Sequence, residues 1–452
     1  MQFVLSCDII RNMNKIAGKV DSFFCIGERG SSFSREIIGG ITTFLTMSYI
    51  LAVNPMILGG PEGPGAAAVF TATVLSAVIA TVFMALAANL PIALASGMGI
   101  NAFFAQTVVL GMGYSWETAL TAVFLEGIVF ILLSFFRIRE MIAASLPSNL
   151  KRAIAVGIGL FITLVGLSNA GVVTSGNGAV LAMGEANGTF WTTVIDLAVT
   201  LSLYALKIPG SLLIGIFVTA VAGIPLHATV IPEHFSPVSV PKAPLLFAFD
   251  FSGILSFEFF VVFVTFLFVD MFDTVGTFVG VAQETGLAGK DGSVPKIRQA
   301  FLADAVGTVC GAALGTSTVT SFMESTAGIA AGARTGLASL VTAVLFLAAL
   351  FFGPLFLLVP AAAVAPALVF VGFLMIKGVR AIDFDDPTEG IPSFLCLAAI
   401  PFTYSIAQGI VWGVLSYVLL KIVSGRVKEV SPLTWGLAAF FLAYTLVKSF
   451  SL

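Results

Sequence analysis

Apolar runs long enough to cross a bilayer as a helix, about 20 residues each, follow one another along almost the whole chain. They lie near 37–57, 66–88, 93–111, 117–136, 150–170, 190–206, 209–226, 257–281, 298–313, 316–333, 335–354, 359–376, 391–405 and 407–424. That makes fourteen spans, several of them short, with a further apolar stretch at 433–450. No water is available in the hydrocarbon layer to satisfy backbone N–H and C=O groups, so such runs close their hydrogen bonds inside helices. The chain is 58% hydrophobic and only 10% charged, against roughly 25% charged in soluble domains. The expected fold class is an all-α polytopic membrane protein. Residues 1–35 lack the pattern of a cleavable signal peptide, and the first span itself can direct insertion.

Basic residues orient the spans, because Lys and Arg accumulate on the cytoplasmic side. With a cytoplasmic N-terminus, that side holds Arg11, Lys15, Lys19, Arg29, Arg35, Arg137, Arg139, Lys151 and Arg152. Further along it holds Lys207, Lys290, Lys296, Arg298, Arg334, Lys377, Arg380, Lys421, Arg426 and Lys428. Of the 21 basic residues only Lys242 falls outside, and Lys448 is unassigned. The polar loops 171–189 and 227–256 are then extracellular. Lean loops and short tails suit a bacterial inner membrane.

Several function classes have no support. Net charge is −3 and no basic patch interleaves with aromatics, so no nucleic-acid partner is expected. The cysteines Cys7, Cys25, Cys310 and Cys396 are scattered, without metal or disulfide spacing. His227 and His234 share one polar loop. No HExxH or GxSxG motif is present, and the DxD of Asp383 and Asp385 lies in an acidic turn without histidine or cysteine beside it, so neither an enzyme nor a metal or organic cofactor is expected.

An internal repeat is visible. Residues 146–162 (LPSNLKRAIAVGIGLFI) match 359–376 (VPAAAVAPALVFVGFLMI), and each follows an apolar run containing TAV, at Thr121 and Thr342. Upstream of each lies a Gly/Ser/Thr-rich start, LASGMGINAFFAQ at 94–106 and LGTSTVTSFMEST at 314–326. The offset of seven spans inverts the second copy, giving a 7+7 inverted repeat with short β-like or unwound starts at spans three and ten. Substrate sites of transporters are built from such interrupted helices.

Two acids lie at membrane depth, Asp273 in FLFVDMFDTVGTFVG and Glu324 in GTSTVTSFMESTAG. A carboxylate there is costly unless it is paired, protonated or facing a polar cavity, which makes each a functional candidate. Asn101 and Gly99 follow the first small-residue start; Gly315, Thr316 and Ser317 belong to the second. Thr277 continues the polar stripe of Asp273, and Asp270 lies near the same helix face. Asp270, Asp273 and Glu324 are the candidates for proton coupling. Phe103, Phe104, Tyr49, Phe272 and Phe322 are candidates to stack on a planar ligand. Asp304 could bond unwound backbone, and Glu126 and Asp196 read as packing acids. DFDDPTEG at 383–390 reads as a helix-capping acidic turn, with gating as the alternative.

The stretches SREIIGGITTFLTMSYILAVNP (34–55), ALASGMGINAFFA (93–105), FVDMFDTVGTFVG (268–280) and GTSTVTSFMESTAGI (315–329) resemble the AzgA-like purine permeases of the nucleobase:cation symporter-2 group. The resemblance runs from about residue 25 to 425. It implies a cytoplasmic tail (1–36), a core domain (37–137 and 257–354), a gate domain (138–226 and 355–425), an extracellular loop (227–256) and a C-terminal segment (426–452). It further implies a homodimer that moves adenine, guanine or hypoxanthine by proton symport through an elevator-type motion of the core. In that picture Glu324 accepts from purine N–H groups, Asp273 binds the base or couples it to a proton, and Asn101 supports the site. Asp386 or Glu389 would match an acidic position near span twelve. Related uracil permeases carry a histidine where Thr277 stands here, so proton coupling would rest on carboxylates. The competing class is a sulfate- or bicarbonate-like anion carrier or channel of related fold, which Glu324 and Asp273 disfavour.

Overall fold

In a computed structural model, residues 18–60, 63–135, 147–176, 179–232, 235–285, 296–363 and 365–450 are described. Asp273 and Phe272 lie on a described helix, but their side chains fall outside the described set. Cys7 and His234 lie outside it altogether.

The first span is two helices, α1 (Phe33–Met47) and α2 (Ile50–Leu58). Between them the ladder tightens to three-residue bonds, Leu51 N–H to Ser48 O and Ala52 N–H to Tyr49 O. Next comes α3 (Ala66–Phe83), which widens into a π-helical turn at Met84–Ala88. It stops at Asn89, whose φ of 52° is left-handed and tolerated by Asn. A three-residue strand β1 (Leu94–Ser96) leads into α4 (Met98–Ala102), a π-helical stretch (Phe103–Gly111) and α5 (Trp116–Phe135). Helix α6 (Ser148–Asn169) and a hairpin of β2 (Val173–Gly176) and β3 (Ala179–Met183) follow, then α7 (Gly188–Ala205) and α8 (Ser211–Ala222).

The second half opens with α9 (Phe257–Thr285) and α10 (Ile297–Leu314). Strand β4 (Val319–Ser321) and α11 (Ser325–Ala330) come next, followed by α12 (Gly336–Ala349), α13 (Gly353–Leu357) and α14 (Ala365–Ile376). The chain closes with α15 (Pro387–Phe402), α16 (Ile406–Val423) and α17 (Pro432–Phe450). The last covers the apolar stretch left over by the span count, now seen to be helical.

Seven helical segments among the described residues are long and apolar enough to cross a membrane. The expected count of fourteen exceeds this partly because spans three and ten are not continuous helices. Each begins as a strand, and the helices after the strands are short. Helices α1, α3, α5, α10 and α12 pack on one another, and α6, α14, α15 and α16 form a second set. Phe103 and Phe104 are fully buried, packed edge-on against Phe266 and Trp116 respectively. Both belong to the buried apolar cluster between the helices.

The acidic turn at 383–390 caps α15. Asp386 accepts from Thr388 N–H, and Asp383 accepts from the N–H groups of Asp385 and Asp386. Arg426 reaches back from the end of α16 to Asp386 at 2.5 Å. The guanidinium, with Thr388, holds the Asp386 carboxyl down at about 2. A carboxyl depressed in the fold stabilises it above the unfolded pKa of about 3.9 and loses that contribution as pH falls toward 2. The difference in melting midpoint between the wild-type chain and Arg426→Gln should therefore be constant from neutral pH to about 5 and shrink between about 4 and 2. A difference that does not vary with pH over that range removes the ion pair as its source.

Candidate functional site

Strands β1 and β4 pair antiparallel, with Leu94 opposite Ser321, Ala95 opposite Thr320 and Ser96 opposite Val319. Gly97 N–H to Thr318 O and Phe322 N–H to Ala93 O extend the ladder at both ends. This joins the two small-residue starts that the sequence repeat singled out. Three-residue strands have little stability alone; here every strand residue is buried, and side chains from helices α3 and α10 complete the bonding. Thr81 brackets Leu94, accepting from its N–H and donating to its C=O, and Thr308 does the same for Val319.

A hydroxyl–amide network runs behind the strands. Asn54 donates to Thr73 at 2.6 Å and Thr316 at 2.9 Å, and accepts from Asn101 at 2.6 Å. Ser317 donates in turn to Asn101, and Ser96 bonds Thr316. Thr318 donates to Glu126 at 3.0 Å. Asn54, Thr73, Ser96, Asn101, Glu126, Thr316, Ser317 and Thr318 are all completely buried. Asn101, Thr316 and Ser317, predicted as site residues, are thus together: Ser317 bonds Asn101 directly, and Asn54 links Asn101 to Thr316.

Glu324 sits just past β4, directly before α11, and is only half-buried. Tyr49, buried at the junction of α1 and α2, donates its hydroxyl to Glu324 Oε1 at 2.8 Å. Phe322, two residues before Glu324, belongs to the same buried apolar cluster as Tyr49 and Met98. Asp270 and Asp304 meet through Thr274, whose hydroxyl bonds them at 3.2 and 2.9 Å. Thr277 is buried one turn further along α9.

Two predicted site glycines have packing accounts. A Cβ on Gly99 would come within 2.5 Å of Ile158 on α6, so its bareness lets α4 and α6 approach. Gly315 ends α10 at φ 91°, a left-handed cap that glycine adopts without cost. Nothing in the sequence singles out Asn54; Tyr49 reads there only as a stacking candidate and Glu126 as a packing acid. The available signal was an amide and an acid inside apolar spans.

Among the described residues, Lys421 is the fully buried basic side chain. It lies away from the strands, paired with Glu389 at 2.9 Å and Glu429 at 2.7 Å. The environment of the strands is therefore carboxylates, amides and hydroxyls, suited to a neutral ligand that donates hydrogen bonds. Residues 34–412 match the model of a permease family. The chain belongs to this family. It is accordingly a multi-pass membrane permease and not an enzyme. It is 43% identical to the guanine/hypoxanthine permease PbuG of Bacillus subtilis, over 94% of this chain and 98% of that one. It is 38% identical to the adenine permease AdeQ of Escherichia coli, over 94% and 96%. The resemblance to purine permeases of the nucleobase:cation symporter-2 group is borne out by these permease relatives.

The fold is shared with the transmembrane domain of the cyanobacterial bicarbonate transporter BicA, with a TM-score of 0.63 at 16% identity, covering 84% of this chain and 97% of that one. SLC26A9 gives a TM-score of 0.61 at 14% identity, covering 93% and 71%. At such identities the likeness concerns architecture alone.

Proposed function

We propose that the chain is a secondary active transporter that imports purine nucleobases (adenine, guanine or hypoxanthine) by proton symport. The observation that carries this reading is the half-buried Glu324 carboxylate, steadied by Tyr49 beside the paired strands. A purine edge offers N–H donors, and a carboxylate is their strongest neutral-pH acceptor. The names of the relatives point the same way. Asn101, Thr316 and Ser317 hold the two interrupted spans in register, and Gly99 and Gly315 let them pack. Phe322 borders the base, and Thr277 lines the stripe that leads to Asp273.

Asp273, with Asp270 and Glu324, carries the proton. The cargo is the base and the co-transported proton, with no resident cofactor. Fourteen spans in a 7+7 inverted repeat form a core that moves against a gate in an elevator-type step, within a homodimer of the inner membrane whose N-termini are cytoplasmic. The separate packing sets of α1, α3, α5, α10 and α12 and of α6, α14, α15 and α16 support that division.

The experiment is uptake of radiolabelled adenine, guanine, hypoxanthine, xanthine and uracil into proteoliposomes, with and without an inward proton gradient. Gradient-stimulated purine uptake is expected. Asp273→Asn should still bind purine but lose the stimulation. Anion flux without uptake of any base overturns the reading in favour of the anion carrier, and normal accumulation by Asp273→Asn removes that residue from coupling.

A further inference from the structure

We infer that Asp196 is a resident proton-binding site: a neutral carboxylic acid, its hydrogen on Oδ2 directed to the Thr219 hydroxyl, that pins α7 to α8 and stays out of the transported proton's path. Asp196 lies at the middle of α7 and is fully buried. Its Oδ1 accepts the hydroxyl of Thr200, one turn along the same helix, at 2.7 Å. Its Oδ2 has no protein donor. On α8 the buried Thr219 hydroxyl is likewise left over. It faces Asp196 across the helix contact, at a geometry that makes no direct bond. A hydrogen on Oδ2 supplies the missing donor, and a small side-chain rotation closes the bond. The backbone of α8 seals the pair at Gly215, where a Cβ would collide with the Thr200 oxygen and come within 2.8 Å of Asp196 Oδ1. That side has no room for a hydrated cation.

The surrounding charges select the neutral form. An ionised carboxylate in a low-dielectric interior needs a counter-charge or several donors. The elements closely packed on α7 are α8, the turn at 361–363 and α14. None of them carries an ionisable side chain. The other ionisable group of α7, Tyr204, lies two turns on, against the Phe370 ring. The hydroxyls of Thr192 and Thr193 are committed to carbonyl oxygens. Asp196 therefore has one protein donor, too few for a buried anion. The neutral acid needs only an acceptor for its own hydrogen, and the Thr219 oxygen is one. Through α7 the site packs on α14, which belongs to the second helix set rather than to the set of α1, α3, α5, α10 and α12. Its proton has no need to leave when the core moves.

The test is infrared difference spectroscopy of the purified full-length protein near neutral pH, wild type minus Asp196→Asn. One band should be lost from the carbonyl-stretch region of protonated carboxyls, with the carboxylate bands unchanged. Loss of carboxylate intensity instead overturns the proposal and identifies an ionised Asp196 held by water or a cation. Thr219→Val removes the acceptor at nearly the same size and should move the Asp196 band to higher frequency. Should Asp196→Asn not fold, wild type minus Thr219→Val decides alone: no change among the protonated-carboxyl bands overturns the proposal. In proteoliposomes Asp196→Asn, which keeps a donor at this position, should show undiminished stimulation of purine uptake by an inward proton gradient. Loss of that stimulation, with downhill uptake retained, places Asp196 on the transported proton's path and overturns its resident role. The uptake arm rests on the proposed purine transport and the spectroscopic arm does not. Wild-type protein that takes up no purine thus fails that reading alone, and the spectrum still decides the proton.

Discussion

Replacing Glu324 by Gln is expected to weaken purine binding by about a hundredfold while leaving the protein folded. Gln has nearly the same size, and its amide oxygen can still accept the Tyr49 hydroxyl bond that Oε1 accepts at 2.8 Å. Because Glu324 is half-buried rather than sealed in the core, the exchange leaves no buried charge without its partner. What changes is the face offered to the base. A carboxylate presents two acceptor oxygens and a charge, whereas the amide presents one neutral acceptor and an N–H₂ that opposes the purine donors. Losing a charge-assisted bond and leaving a donor against a donor together reach about 2–3 kcal/mol. Equilibrium binding of labelled purine in detergent measures this directly, and the melting midpoint checks the fold. A variant that binds like wild type places the substrate elsewhere.

How much was readable beforehand differs by feature. The membrane class follows from the recurring apolar runs, since local composition alone decides whether a segment can leave water. The interrupted character of spans three and ten was equally legible. Gly, Ser and Thr crowd 94–106 and 314–326, and the structure turns those stretches into β1 and β4. Glu324 was visible as an acid out of place. The partners were not. Asn54 and Thr316 are 262 residues apart, and Tyr49 and Glu324 are 275 apart. No periodicity in either segment encodes which hydroxyl the other will meet. Thr and Ser are also common in membrane helices as bonds to their own backbone, as Thr163 is to Gly159, so each one taken singly says little. Glycines are ambiguous for a different reason. Gly99 and Gly315 looked like ligand approaches because a missing side chain reads the same whether the neighbour is a substrate, the Ile158 side chain or a helix end.

Asn54→Ala should be the most destabilising single change in the strand region, lowering stability by about 2–4 kcal/mol and abolishing uptake. The side chain bonds three partners at once, Thr73, Thr316 and Asn101, from a completely buried position. Interhelical hydrogen bonds in membranes average only about 0.6 kcal/mol when one pair is deleted, because groups released there find other partners. That relief is limited here. Thr73 already donates to Val69 O, Ser317 already donates to Asn101, and Thr316 already shares a bond with Ser96. The amide donors of Asn101 would face a cavity. Asp is no substitute, because it cannot donate to Thr73, whose own proton is committed. Thr73→Val is the graded control. It removes one of Asn54's acceptors without changing volume and should cost about 1 kcal/mol. Melting midpoints of the purified proteins, read with uptake, should rank wild type, Thr73→Val and Asn54→Ala in falling order. Equal midpoints for Asn54→Ala and wild type would mean that β1 and β4 are held by their own backbone bonds. That outcome conflicts with strands only three residues long, whose ladder needs the side chains packed behind it to persist.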